Sequence, residues 1–226
     1  IFLHKHLIES PSARGGAAVV MAVGSGEVLA LASYPTYDLT SYNADYNLLS
    51  QDPKQPLLNR AINGTFAPGS TLKPGMAAIS LIDGVISRSS HVTCTGRYKG
   101  TVGCSTYGTN HVGSIDIIDA IAYSCNSFFC ELGNLLGIEK MENYLRAFGL
   151  GQSTGLELGG SKGILAGPTY RGEIQSPELW QPGMTWQAAI GQSDHQLSPV
   201  QMACYIATLC NGGTRYTAHL LHSVYR

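Results

Sequence analysis

The chain has 226 residues, 14 basic and 15 acidic side chains, and a formal net charge of −1. One large or two small domains fit this length, and a chain this long buries a sizeable core without disulfides or metal. Hydrophobic residues make up 44% and charged residues 13%, a balance that excludes charge-driven disorder and argues against a general nucleic-acid or anionic-membrane binder.

Taken in chain order, Ile1-Phe2-Leu3-His4 shows neither an initiator Met nor a signal-peptide pattern, and His222–Arg226 carries no stop signal. Both ends look cut, so the expectation is a piece of a longer protein. Two short apolar runs, Ala17–Val23 and Glu27–Ser33, joined across Gly24-Ser25-Gly26, predict a β-hairpin, and their near-continuous apolarity predicts burial on both faces. Neither approaches the roughly 20 residues a membrane-spanning helix needs. Pro35–Pro56 is polar and rich in Tyr, Asn, Asp and Pro and reads as loop. Helices are predicted over Met76–Ile86, over Ser114–Tyr123 (Ile117, Ile118, Ile121), over Ser127–Leu136 (Phe128, Leu132, Leu135) and over Glu139–Phe148, the last stopped by Gly149. Leu150–Trp180 reads mainly as loop. A final helix, Pro199–Cys210, has Ser198 as N-cap, Pro199 in its first turn and Gln201 completing a capping box.

Six cysteines are present. Cys94 and Cys104 flank the turn-rich Thr95–Gly100, and two alternatives stay open: a disulfide, or the start of a zinc site with His111. Cys204 and Cys210 lie on an apolar helix and read as core.

The most informative segment is Pro68-Gly69-Ser70-Thr71-Leu72-Lys73-Pro74. A Pro-Gly turn precedes the serine and an apolar helix follows. Ser and Lys at i and i+3 share a helix face, so the amine can approach the hydroxyl. A serine hydroxyl is a weak nucleophile that needs a base, and a lysine serves once burial lowers its pKa. Backbone N–H groups at a helix start also suit a developing oxyanion. Alone, Ser-x-x-Lys is expected by chance about half a time in such a chain. The second element, Ser124-Cys125-Asn126, lies between two apolar helices, where its polar groups either cap the next helix or project into a cleft. Ser41-Tyr42-Asn43 repeats the pattern without helical flanks.

Asn59-Arg60-Ala61 followed by Pro68–Pro74 resembles the active-site segment of class B penicillin-binding proteins, the peptidoglycan D,D-transpeptidases. The resemblance covers nearly the whole chain. It takes in Gly16–Met21 with Gly26–Ala30 and Ser33-Tyr34-Pro35, Ser124-Cys125-Asn126, Phe148–Gly151 with Thr154-Gly155-Leu156, Ala189-Ile190-Gly191-Gln192, Pro199-x-Gln201-Met202-Ala203, and Asn211-Gly212-Gly213-Thr214. The details look most like the elongation-type PBP2 branch.

The resemblance implies an α/β fold of the penicillin-binding-protein/β-lactamase type, an antiparallel sheet flanked by helices plus an all-helical subdomain. It implies Ser70 as nucleophile on a D-Ala-D-Ala stem peptide, Lys73 accepting its proton, Ser124 relaying a proton to the leaving D-alanine, and Asn126 holding Lys73 and the substrate amide. It implies acylation by β-lactams, no cofactor, and no nucleic-acid partner. The location implied is the extracytoplasmic face of a bacterial plasma membrane, with an N-terminal anchor helix outside this chain and glycosyltransferase partners in elongation or division engaged through missing regions. Two alternatives share the motifs: a D,D-carboxypeptidase or serine β-lactamase, and a penicillin-sensing or scaffolding domain without turnover.

Two departures stand out. Ser193 follows Gly191-Gln192 where the family usually has glycine. None of the six lysines opens the family's third motif, Lys-Thr-Gly or Lys-Ser-Gly; Lys99-Gly100-Thr101 has the wrong order. The expectation is therefore a partial transpeptidase domain over residues 1–226, lacking pedestal and Lys-Thr-Gly strand, with an incomplete sheet and little activity alone. The remaining histidines (His4, His6, His91, His219, His222) are scattered and read as surface or part-buried. His195, after the Gly-Gln loop, is a candidate for lining the cleft.

Overall fold

The computed structural model describes residues 15–104, 112–174, 176 and 179–223. His4, His6 and His111 lie outside the described residues. The chain divides into two compact units, one of Ile1–Phe66, Gly149–Gly163 and Leu197–Arg226, the other of Ala67–Phe148 and Ile164–Gln196.

In the first unit, β1 (Gly16–Met21) pairs antiparallel with β2 (Val28–Tyr34), in register from Gly16↔Tyr34 to Val20↔Ala30, with an irregularity at Val20/Met21. The core packs Val28, Ile62, Leu156, Val200 and Ala218 with Val19, Met21 and Leu31. The other face differs from the expectation of two-sided burial: Val20 and Leu29 are exposed, because no described residue covers them. A helix, α1 (Tyr42–Gln51), stands where loop is predicted; it buries none of its residues, so its sequence carries no apolar periodicity to read.

The Asn59-Arg60-Ala61 motif is structural. Ser33 Oγ donates to Asn59 Oδ1 (2.9 Å) and accepts from the Ala61 N–H (3.1 Å). The buried Arg60 guanidinium donates to the carbonyls of Gln55 (2.9 Å) and Lys54 (2.6 Å). These contacts satisfy loop carbonyls that folding takes from water. The final helix is observed as predicted, Pro199–Cys210, with Ser198 and Gln201 forming the capping box. Gln201 also donates from Nε2 to the carbonyls of Gln152 (2.9 Å) and Lys162 (2.7 Å), tying two loop segments to the helix start. Cys204 is part-buried, but Cys210 is exposed rather than core because the helix ends there.

The second unit is mainly helical. A 3-10 turn, Gly69–Leu72, leads into α2 (Lys73–Ile82). The predicted Met76–Ile86 helix therefore begins earlier and stops by Gly84, whose φ of 77° ends it. Pro74 sits in the first turn, where a missing N–H costs nothing. Short strands follow: β3 (Val92–Cys94) pairs with β6 (Gly113–Ile115), and β4 (Arg97–Tyr98) with β5 (Val102–Gly103), both antiparallel.

Next come α3 (Ile117–Ala122), capped by the Asp116 carboxylate, α4 (Asn126–Leu136), α5 (Ile138–Ala147), a short α6 (Pro168–Ile174) and α7 (Pro182–Ala189). The last two were not legible: α6 buries none of its residues, and α7 is short with Pro182-Gly183 at its start. Met76, Ile79, Phe128, Phe129, Leu132, Met141 and Leu145 are fully buried and form this unit's core. Gly133 of α4 allows close approach to α7, since a Cβ there would lie 2.6 Å from Ala189 Cβ. The architecture is thus mixed α/β, with small two-stranded sheets among the described residues. No helix of the described residues is long and apolar enough to cross a membrane.

Candidate active site

All four predicted site residues fall in the second unit and meet there. The Pro68-Gly69 turn places exposed Ser70 in the 3-10 turn, one turn ahead of Lys73. Ser124 occupies the turn between α3 and α4, and Asn126 opens α4. Ser124 holds a left-handed φ of 53°, an unfavourable conformation for a residue other than glycine. Backbone bonds over-determine it, from Ser124 N–H to Ile121 O (3.2 Å) and from Cys125 N–H to Ala120 O (2.9 Å).

The strained turn aims three acceptors at one amine. Lys73 Nζ donates to Ser124 O (2.7 Å), Ser124 Oγ (2.9 Å) and Asn126 Oδ1 (2.6 Å). An ammonium has three N–H donors, so each is used. The Ser124 hydroxyl in turn donates to Ser70 Oγ at 2.9 Å. Among the described contacts Lys73 makes no direct hydrogen bond to Ser70. The observed connection between the two is a contiguous path, Ser70 Oγ, Ser124 Oγ, Lys73 Nζ. The 3-10 winding of Gly69–Leu72 keeps positions i and i+3 on one face, and Ser124, carried in by the turn between α3 and α4, bridges the two side chains.

Lys73 is only 2% exposed. Burial, the largest influence, holds its pKa below the ordinary lysine value, against the opposing pull of Cys104, Cys125 and Cys130. A lowered pKa raises the share of neutral amine, the form able to accept a proton.

Ser70 and Asn126 line an open cavity of about 330 Å³ with Thr101, Val102, Gly103, Gln187, Ile190 and Gln192. Gly191 docks directly on the turn that carries Ser70. Its carbonyl accepts from Gly69 N–H at 2.8 Å, and a Cβ on Gly191 would lie 2.0 Å from Gly69 O. Only glycine fits there. Ser193, the departure noted above, has φ 63°, so the family's glycine is the unstrained residue at this position. His195 does not line the cleft. It is fully buried, with Nδ1 accepting from Ala166 N–H (3.0 Å) and Nε2 facing Ala188 O at 3.2 Å. Its role is to pin the loop after Gln192 to the end of α7.

The cysteines bear on the two alternatives left open for Cys94 and Cys104. Cys94 and Cys104 are not joined in a disulfide, and both are buried. Cys125, the middle residue of Ser-x-Asn, joins them, and the three sulfurs lie within 4.8 Å of one another. Cys104 Sγ also accepts from the Asn126 N–H at 3.3 Å. Burial raises the Cys125 pKa, so the thiol form prevails at neutral pH. A three-sulfur set of this kind suits a soft divalent ion such as zinc, with a fourth ligand completing a tetrahedron. Sequence spacing pairs Cys94 with Cys104, but Cys125 joins only through the α3–α4 turn.

Residues 16–226 match the penicillin binding protein transpeptidase domain family, and the chain belongs to it. Within that family it is a PBP2-type transpeptidase domain. The chain is 32% identical over 222 residues to the peptidoglycan D,D-transpeptidase MrdA of Acinetobacter baumannii, a match covering 94% of this chain and 33% of the relative. The crystal structure of Pseudomonas aeruginosa PBP2 in complex with WCK 5153 superposes with a TM-score of 0.85 at 29% identity, covering 98% of this chain and 50% of that one. A Helicobacter pylori PBP2 in complex with MreC gives 0.82 at 27% identity, covering 96% and 41%. The chain spans about a third of the length of the curated relative.

Proposed function

We propose that this chain carries the nucleophile, base and relay of a serine D,D-transpeptidase that cross-links peptidoglycan and is acylated by β-lactams. The observation that carries the reading is the unbroken hydrogen-bonded path from Ser70 Oγ through Ser124 Oγ to Lys73 Nζ. With the amine neutral the path runs in reverse. Ser70 gives its proton to Ser124, whose own proton passes to Lys73, and Ser70 Oγ attacks the carbonyl between two D-alanines. The C–N bond then breaks, and the protonated relay delivers a proton to the departing D-alanine amine. A second amine attacks the ester, releases Ser70 and forms the cross-link. A β-lactam opens its ring in the first step and leaves a stable ester.

The Lys-Thr-Gly strand is proposed to come from residues outside these 226, consistent with the share of the relatives that the chain spans. By the same reading the site works at the bacterial cell envelope, on stem peptides. Elongation-machinery proteins are engaged through regions beyond this chain, as the Helicobacter PBP2 is seen with MreC.

The test is incubation of the complete gene product with a fluorescent penicillin. Stoichiometric labelling that Ser70→Ala abolishes is the expected result; labelling that survives Ser70→Ala contradicts it. An added amine acceptor separates the alternatives, since a hydrolase yields no cross-linked product.

A further inference from the structure

The β4–β5 hairpin supplies Thr101, Val102 and Gly103 to the cavity wall, yet its turn carries a residue the backbone does not favour. Lys99 has φ 43° and Gly100 φ 72°, and Thr101 N–H donates to Tyr98 O at 3.0 Å. Two successive left-handed residues make a turn for which asparagine or glycine is the unstrained first choice. A strained lysine points to a use for its side chain.

That side chain is engaged three ways. Its ammonium lies 4.8 Å from the Trp186 ring centre and 5.3 Å from that of Tyr98. It also donates to Asn134 Oδ1 at 3.1 Å. The two rings meet edge to face at 5.1 Å, Trp186 Nε1 donates to the same Asn134 oxygen at 3.4 Å, and the Tyr98 hydroxyl donates to the Glu131 carboxylate. The hairpin tip is thereby strapped to α4 and α7.

At the hairpin's other end, Gly103 O accepts from Asn126 Nδ2 at 2.9 Å. That bond decides which end of the Asn126 carboxamide faces the amine: Oδ1 is left to accept from Lys73 Nζ. We propose that Lys99 is a positioning residue for acyl transfer, whose cation–π strap holds the hairpin so that Gly103 O keeps the Asn126 oxygen aimed at Lys73. The role rests on the reading of this site as a serine acyltransferase.

The test compares Lys99→Gly, Lys99→Asn and Lys99→Arg in the complete gene product. Glycine and asparagine relieve the backbone, so an idle lysine would leave their acylation unchanged and their turn firmer. A strap predicts the opposite. Acylation by a fluorescent penicillin at saturation slows on the order of three- to tenfold in the glycine and asparagine variants, with the melting temperature retained. Arginine, which also stacks on aromatic rings, restores most of the rate. Independently of any reaction, the amides of Thr101 and Cys104 exchange faster with solvent in the two strap-less variants. Wild-type acylation in Lys99→Gly or Lys99→Asn overturns the proposal, as does unchanged exchange at both amides. If the wild-type protein is not acylated at Ser70, the acyltransferase reading fails and the positioning role falls with it, while the exchange data still report the strap.

Discussion

Ser124→Ala removes one oxygen from the middle of the proton path and little else. Ser124 Oγ lies 2.9 Å from both Ser70 Oγ and Lys73 Nζ. After truncation Lys73 keeps the Ser124 carbonyl at 2.7 Å and Asn126 Oδ1 at 2.6 Å, so the amine stays in place. The stability cost is that of a net hydrogen bond, about 1 kcal/mol. The kinetic cost is larger, because the described contacts offer Ser70 no second route to the base. Loss of a positioned proton-transfer group slows a reaction by about a hundred- to ten-thousandfold, or about 3 to 5 kcal/mol of barrier. Stopped-flow acylation by a chromogenic cephalosporin, run to saturation, separates the chemical step from binding. The first-order constant falls and the binding constant holds. A Ser124→Ala protein acylated within threefold of wild type would refute the relay and require direct transfer from Ser70 to Lys73.

Three further outcomes follow from the loop that braces the Ser70 turn. His195 is buried and neutral with its pKa lowered to about 4 by burial; between pH 6.5 and 4 the unfolded chain takes up a proton that the native state refuses, so stability falls by about 3 kcal/mol over that range. Urea denaturation at pH 7 and pH 4 measures this drop, and His195→Gln, which can accept and donate in the same directions without titrating, removes much of it. Ser193→Gly relieves the φ of 63° and should stabilise by roughly 0.5–1 kcal/mol, read as a raised denaturation midpoint. Gly191→Ala puts a methyl 2.0 Å from Gly69 O, which must break the Gly69–Gly191 bond and shift Ser70. A stability loss of about 2 kcal/mol or more together with a slowed acylation is expected, and a wild-type rate would show that this contact does not set the nucleophile.

The candidate site residues were legible as two pairs because each pair is local in the chain. Ser70 and Lys73 share one turn, and Ser124 and Asn126 sit at one helix junction, so residue type and spacing announce both pairs. Their connection was half legible: spacing predicts an amine beside a hydroxyl, whereas the turn between α3 and α4, distant in the chain, brings Ser124 in as a hydrogen-bonded bridge. The capping box at Ser198 and Gln201 reads from sequence for the same local reason. What escaped depends on contacts far apart in the chain. Cys125 meets Cys94 only after α3 turns into α4, and Lys99 meets Trp186 across 87 positions (186 − 99). Helix α1 escaped because it buries nothing and so leaves no periodic trace.

The central claim is that Ser70 is a nucleophile served by Lys73 through Ser124. Mass spectrometry of the complete gene product after exposure to a penicillin tests it most directly. A single adduct of the intact penicillin mass on the peptide containing Ser70, absent in Ser70→Ala and strongly slowed in Lys73→Met, is the predicted result. An adduct on another residue, or one that forms at the wild-type rate without Lys73, would contradict it.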